Sequence, residues 1–596
     1  MNFFKSLLAS MLGTFLALGL LMLVFIMIIA SALSSGDSKS ITVKDGSILH
    51  LQLNQEVVER SNNKNVKIDL SDFSSERKMG LNQFIKDIEK AKNDDRIKGI
   101  FLEPVGFTAA PSSMLDMRRA LEDFKSSGKW IVSYAEGYSH GSYFLASVAD
   151  EVYLYPEGDF DWRGLNVELM FFKNLLNKLE IEPQILRGPN NAYKSAVEPY
   201  MYDKMSPENR AQMKTYVDDI WRIMLDRISE SRGIPVDVLN AYADSLITYD
   251  SKALEATNLI DGKKYRDEVM AILKTKVGLE ESAEDKKMNL ISYADYSMSK
   301  SDVKKTTPSL KKDKVAVIYA VGGIESGEGD DETIGSDRIA AALKSAREDE
   351  KVKAIVLRVN SPGGSALASD VIWRETQLIK ESGKPFYVSM GDYAASGGYY
   401  ISCAADKIYA NPNTITGSIG VFGILANLEK FWNNKLGITF DRYETNQHAD
   451  MISSSKAMDA KENDVMQNMI ANVYDDFITR VAMGRNMTKA QVDSIGQGRV
   501  WSGEDAKNLG LVDELGGLQD CVKAIAKEAG LEDYAITELP TMIDPFAKLM
   551  ESLSGSTQEQ ALISVLGNDY KKYKEIKSVV KMKGVQARLP FMMEIK

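Results

Sequence analysis

Histidine is almost missing from this chain. Three occur in 596 residues, His50, His140 and His448, although most hydrolytic mechanisms take their base from histidine. Any reaction that needs a base therefore has few imidazoles to draw on. Cysteine is scarcer still. Cys403 and Cys521 are the two present. They form no Cys/His pattern with metal-ligand spacing, which argues against a structural zinc. Both thiols read as buried and free, since unpaired cysteine behaves as a small hydrophobe. Long blocks of like charge are absent too, and 73 Lys+Arg against 84 Asp+Glu leave a net charge of −11. Nucleic-acid binding needs a basic face, so that class of partner drops out.

Long apolar runs are confined to one place. No charged residue lies between Lys5 and Asp37, and residues 11–32 are long and apolar enough to cross a bilayer as a helix. Ala30-Ser31-Ala32 resembles a signal-peptide cleavage site, but a secretory signal has a shorter apolar core, so the run predicts an uncleaved anchor. It has no polar face, unlike the surface helix of a soluble domain. Lys5 precedes the run while Lys39 and Lys44 follow it. Charge alone therefore does not set the orientation.

Beyond the anchor the chain repeats itself at an offset of about 256 residues. Arg96-Ile-Lys-Gly-Ile-Phe-Leu102 matches Lys351-Val-Lys-Ala-Ile-Val-Leu357, and Ala149-Asp-Glu-Val-Tyr-Leu-Tyr-Pro156 matches Ala405-Asp-Lys-Ile-Tyr-Ala-Asn-Pro412. Several matches in one order indicate duplication. Each copy alternates short β-branched runs with helical stretches, which predicts an α/β fold with largely parallel sheet. The spacing divides the chain into an anchor (1–36), a first repeat (40–280), a polar linker (281–312), a second repeat (313–540) and a tail (541–596) without a counterpart in the first copy.

The copies differ where chemistry would sit. The second has Asn360-Ser-Pro-Gly-Gly-Ser365 after a strand and Ala394-Ala-Ser-Gly-Gly-Tyr-Tyr400 before a helix; the first lacks both Gly pairs and has His140 opposite Ser396. A nucleophilic serine at a sharp strand-to-helix turn needs small neighbours. Gly363, Gly364 and Gly397 can present backbone N–H groups to a developing oxyanion with no side chain in the way. A serine hydroxyl still needs a base. His448 sits in a polar stretch that reads as solvated loop. A desolvated lysine can serve instead, because burial lowers its pKa. On local sequence many lysines qualify, Lys194 and Lys456 among them.

Ser361-Pro-Gly-Gly364, Met390-Gly-Asp-Tyr-Ala-Ala-Ser-Gly-Gly-Tyr399, Thr416-Gly-Ser-Ile-Gly-Val421 and Asn191-Ala-Tyr-Lys-Ser-Ala-Val-Glu-Pro199 resemble motifs of the signal peptide peptidase A (protease IV) family, in its long, two-repeat form. That resemblance implies a tandem repeat of the Clp protease/crotonase-like fold behind a transmembrane helix. It implies Ser396 as nucleophile, Lys194 as general base, and an oxyanion hole among Gly363, Gly364 and Gly397, without fixing which of them donate. It also implies a homotetramer, anchored once in the bacterial inner membrane with its catalytic part on the periplasmic side, that degrades signal-peptide remnants without metal or cofactor. Asp392 replaces a glycine of the family pattern and is expected at the site's rim. The repeats add independent support for a divided dyad. Lys194 aligns with Asp450 or Met451, depending on one gap, so each copy keeps one half of the pair. Two other functions remain open on sequence: a crotonase-like acyl-CoA enzyme, and an inactive membrane scaffold.

Overall fold

A computed structural model of the chain describes residues 6, 10–21, 41–61, 78–279, 287–300, 312–543 and 585–588. Residues 10–21 are helical and exposed. The remainder of the predicted anchor lies outside the described residues. Among the described residues no helix is long and apolar enough to cross a membrane.

Two parallel sheets form the cores of the two copies. The first runs Gly262–Lys263, Glu151–Phe160, Trp130–Tyr138, Ile97–Pro104, Ser47–Leu53 and Leu290–Ser292, every neighbour parallel. The second runs Val500–Ser502, Ile415–Gly417, Phe386–Ala395, Val352–Ser361, Lys314–Val321 and Ala535–Leu539, with Lys407–Ala410 and Glu514–Leu515 beside it. Val500–Ser502 alone is antiparallel to its neighbour there. The central strands are buried along nearly their whole length, as parallel strands covered by helices on both faces must be. Their unbroken apolar runs reflect this.

The two sheets follow one order. In each, a strand from the end of the copy pairs parallel with that copy's first strand: Leu290–Ser292 with Ser47–Leu53, and Ala535–Leu539 with Lys314–Val321. Residues 290–298, inside the stretch read as linker, thus form a closing strand and the helix Tyr293–Met298. Three residues carry no periodicity that a sequence reading could detect; the parallel partner supplies the order.

A third sheet joins the copies. Its order is Thr333–Gly335, Gly323–Glu325, Gly363–Ser365, Gln586–Arg588, Phe422–Asn427 and Glu182–Arg187. Glu182–Arg187 belongs to the first copy and pairs antiparallel with Phe422–Asn427 of the second, from Arg187 opposite Phe422 to Glu182 opposite Asn427. The copies also meet through apolar packing of Met213, Tyr216 and Ile220 on Ala395, Ile415 and Val500, and through buried polar pairs. Glu59 accepts two hydrogen bonds from the Arg358 guanidinium, at 2.9 and 3.0 Å, and Asn82 donates to the Tyr319 hydroxyl at 2.8 Å.

Candidate active site

Ser396 stands between the strand Phe386–Ala395 and the helix Gly397–Ser402. Its φ of 56° and ψ of −115° are costly for a residue with a β-carbon, and such strain persists only where the surroundings enforce it. Here the Ser396 N–H donates to Gly417 O at 2.8 Å and its carbonyl accepts from Tyr400 N at 2.9 Å. A β-carbon on Gly398 would come within 2.8 Å of Ser361 O, so the helix can approach the neighbouring strand only with glycine there. The turn directs the Ser396 hydroxyl inward, and the residue is completely buried.

Lys194 reaches that hydroxyl from the first copy. Its ammonium nitrogen lies 2.8 Å from Ser396 Oγ, 3.0 Å from Ser418 Oγ and 3.1 Å from Ser418 O. The pairing of Glu182–Arg187 with Phe422–Asn427 delivers the segment. Tyr193 N then donates to Gln497 O at 3.0 Å, and the Gln212 amide donates to Tyr193 O at 3.1 Å and Ser195 Oγ at 2.9 Å. The lysine stem runs past Gly420 and Gly498, and a β-carbon on Gly498 would collide with the Lys194 side chain. Lys194 is fully buried, and burial pushes its pKa well below the ordinary 10.5. A neutral amine beside a serine hydroxyl can take its proton.

Gly363, Gly364 and Gly397 converge beside Ser396. Gly363 has φ 97°, and a β-carbon there would stand 2.8 Å from Gly397 N and collide with Ala587 O. A β-carbon on Gly397 would stand 3.1 Å from Ala587 O and 3.2 Å from Gly364 N. The three glycine backbones therefore pack closely together against Ala587, with no room for a β-carbon on Gly363.

The other sequence candidates fall elsewhere. Lys456 forms ion pairs with Asp450 and, at 3.0 Å, with Glu462, and the Asp450 carboxylate holds its pKa up, the wrong direction for a base. His448 lies 3.5 Å from Asp459 and Glu462. The Ser396 hydroxyl meets Lys194 and, at 3.4 Å, Gly420 O, so neither Lys456 nor His448 is its partner. His140 opens the helix His140–Ala146, as Ser396 precedes its own, but stacks on Trp162 with ring centroids 5.6 Å apart and accepts from Arg163 N at 3.1 Å. Asp392 does not form a rim. It is buried where the copies meet and accepts from Ser113 N and Ser113 Oγ, both at 2.8 Å, and from Asn360 Nδ2 at 3.1 Å. Cys403 and Cys521 are buried and free. Ser418 was missed as an individual residue. It lies in the Thr416–Val421 motif, but its hydroxyl faces Lys194 only because it takes φ 50° after Gly417 at φ 72°.

Known proteins resemble the chain throughout. The sequence pattern of Peptidase family S49 matches it twice, at residues 123–280 and 379–532, once in each copy. Protease 4 of Salmonella typhi is 38% identical over 489 residues, 80% of this chain and 76% of that protein. The chain belongs to peptidase family S49. Protease 4 of Haemophilus influenzae is 36% identical over 90% of this chain and 88% of that one. The chloroplastic serine protease SPPA of Arabidopsis thaliana is 32% identical over 86% and 74%. A solved structure of a ClpP1 mutant from Listeria monocytogenes aligns with 35% of this chain and 94% of its own at a TM-score of 0.24 and 18% identity, too loose an overlap to carry an argument. As an S49 member this chain is a serine-type peptidase with two copies of the S49 unit.

Proposed function

We propose that this S49 peptidase hydrolyses peptides with a Ser–Lys dyad, Ser396 as nucleophile and Lys194 as general base. The observation that carries the reading is the 2.8 Å contact between Lys194 Nζ and Ser396 Oγ, with both residues fully buried. In the first step neutral Lys194 accepts the Ser396 proton while Oγ attacks the scissile carbonyl. The oxyanion is held by backbone N–H groups among Gly363, Gly364 and Gly397, a contribution worth about 3–4 kcal/mol of barrier in comparable sites. The lysinium then protonates the leaving amine, and water attacks the ester by the same route in reverse. Ser418 holds the amine between its hydroxyl and carbonyl, so that the lone pair faces Ser396.

The family resemblance extends the proposal to signal-peptide remnants as substrates, a single amino-terminal anchor and a homotetramer on the periplasmic side of the inner membrane. The experiment for the dyad is substitution. Ser396→Ala and Lys194→Ala should each lose peptide hydrolysis while keeping the fold, and Lys194→Arg should be equally inactive because a guanidinium does not deprotonate. A serine-directed phosphonate should label wild type at Ser396, an outcome that a crotonase-like acyl-CoA enzyme would not give. Hydrolysis by Lys194→Ala near the wild-type rate would refute the assignment.

A further inference from the structure

Gln212 is a buried amide at an apolar contact. It lies in the helix Pro207–Arg232 beside Met213, which with Tyr216 and Ile220 packs on Ala395, Ile415 and Val500 of the second copy. An amide in that position is costly unless it is paired, and both of its ends are. Nε2 stands 2.9 Å from Ser195 Oγ, 3.1 Å from Tyr193 O and 3.2 Å from Asn209 Oδ1. Oε1 accepts from Val500 N at 3.3 Å.

The partners on the two ends belong to different copies. Tyr193 and Ser195 flank Lys194 in the first. Val500 lies in the second and pairs antiparallel with Gly417. Gly417 O accepts from Ser396 N at 2.8 Å, and Ser418, next in the chain, holds the Lys194 amine. One side chain therefore ties the backbone on both sides of Lys194 to the strand pair that supports the Ser396 turn. The amide's orientation is set from behind. Asn209 Nδ2 donates to the buried Glu198 carboxylate at 2.8 Å, which turns Asn209 Oδ1 toward Gln212. Gln212 must then present its NH2 on that side and its carbonyl to Val500. Glu198 and Arg499, whose guanidinium lies over the Tyr193 ring at 5.0 Å, are the charged groups of this network. Among the described residues neither hydrogen-bonds to the Lys194 amine.

We propose that Gln212 is a positioning residue of the dyad: its amide fixes how far Lys194 enters the second copy, and with it the contact between Lys194 Nζ and Ser396 Oγ. This rests on the Ser396–Lys194 reading above. A lysine stem is flexible, so its amine is held in place only where the backbone is held. On one side Gly498 packs on that backbone, where a β-carbon would stand 2.7 Å from Lys194 Cα. Gln212 closes the other side. Without its amide the segment 193–195 keeps the bond from Tyr193 N to Gln497 O but loses its tie to Val500, and water gains a path to the amine.

The test measures kcat and KM on casein, their pH dependence and urea unfolding, all on the full chain. Gln212→Met keeps the length of the side chain and removes the amide. Its kcat should fall ~10- to 100-fold with KM nearly unchanged, the loss expected when a reacting group is displaced by about 1 Å. Hydration of the loosened amine should also carry the apparent pKa of the kcat/KM rise back toward 10.5, by about one unit. The loss should therefore be ~10-fold greater below that rise than above it. Gln212→Asn keeps an amide on a shorter stem and should show a smaller shift in the same direction; it decides the matter if Gln212→Met does not fold. Leu239→Ala, in the separate core of the first copy, should lose stability without moving the pH profile. Gln212 variants that keep the wild-type kcat and profile, or that lose activity by one factor at every pH, would overturn the proposal. If Lys194→Ala is itself active, the dyad reading fails and the positioning role falls with it. If Lys194→Ala is inactive while the Gln212 variants match wild type, the positioning role alone fails.

Discussion

Lys194 sits at full burial, and among the described residues its amine meets serine oxygens and no carboxylate. Burial is the cause of its lowered pKa, and this has two consequences. The proposed base is active when neutral, so kcat/KM should rise with pH through an apparent pKa well below 10.5 and then level off. The same shift acts on stability. Between the lowered value and 10.5 the unfolded chain holds a proton on Lys194 that the folded chain does not. Stability should therefore rise with pH across that window, by about 1.4 kcal/mol per pH unit from this group. Lys194→Met should lose that increment, which urea unfolding of both proteins at several pH values would measure; equal slopes would contradict the shift. Ser418 holds the amine without supplying the proton acceptor. Ser418→Ala should lower kcat by ~10- to 100-fold with KM nearly unchanged, less than removal of a general base can cost. A fall in KM affinity instead would make Ser418 a groove residue. These residues differ in how far they could be read beforehand. Ser396 stood out through its two glycine pairs. Lys194 is one lysine among many on local sequence, and only the resemblance singled it out. The role of Ser418 depends on a positive φ that its letter does not disclose.

At the level of elements, the contact between copies combines one strand pairing, apolar packing and a buried charge cluster. Burial alone would pull the Arg358 guanidinium down, but the Glu59 carboxylate outweighs it and holds the group charged. Asp116 and Asp392 lie near, and burial pushes both carboxyls up. Glu59→Ala removes the only carboxylate hydrogen-bonded to Arg358 among the described residues, leaving a buried charge without its direct partner. The expected loss is about 3 kcal/mol, measurable by urea unfolding, with hydrolysis falling as the first copy loosens from the second. A loss within about 0.5 kcal/mol would mean that the cluster behaves like surface charge. Element by element, the sequence was readable where segments are long. The central strands and the helix Ala366–Glu381 show their period or their unbroken apolar run. Leu290–Ser292, Ala535–Leu539 and Gln586–Arg588 are three to five residues each. Such segments take their order from a neighbouring strand, so a stretch read as linker and another read as tail both contain structure.

Across the whole molecule, duplication has let one site be divided. The second copy holds Ser396 and the glycine turns; the first has His140 at the matching turn and supplies Lys194 instead. Both residues of the proposed dyad come from a single chain in this fold, because Glu182–Arg187 crosses to Phe422–Asn427 of the same chain. A site closed within one chain cannot be rescued by another copy. Full-length Ser396→Ala and Lys194→Ala chains, unfolded together and refolded as a mixture, should give no more peptide hydrolysis than the two variants refolded apart. If strands were exchanged between copies, random assortment would give some sites both intact residues, and the mixture would recover roughly one quarter of the wild-type rate. Recovery of that size would move the crossing from within the chain to between chains, and would make each active site one shared by two chains.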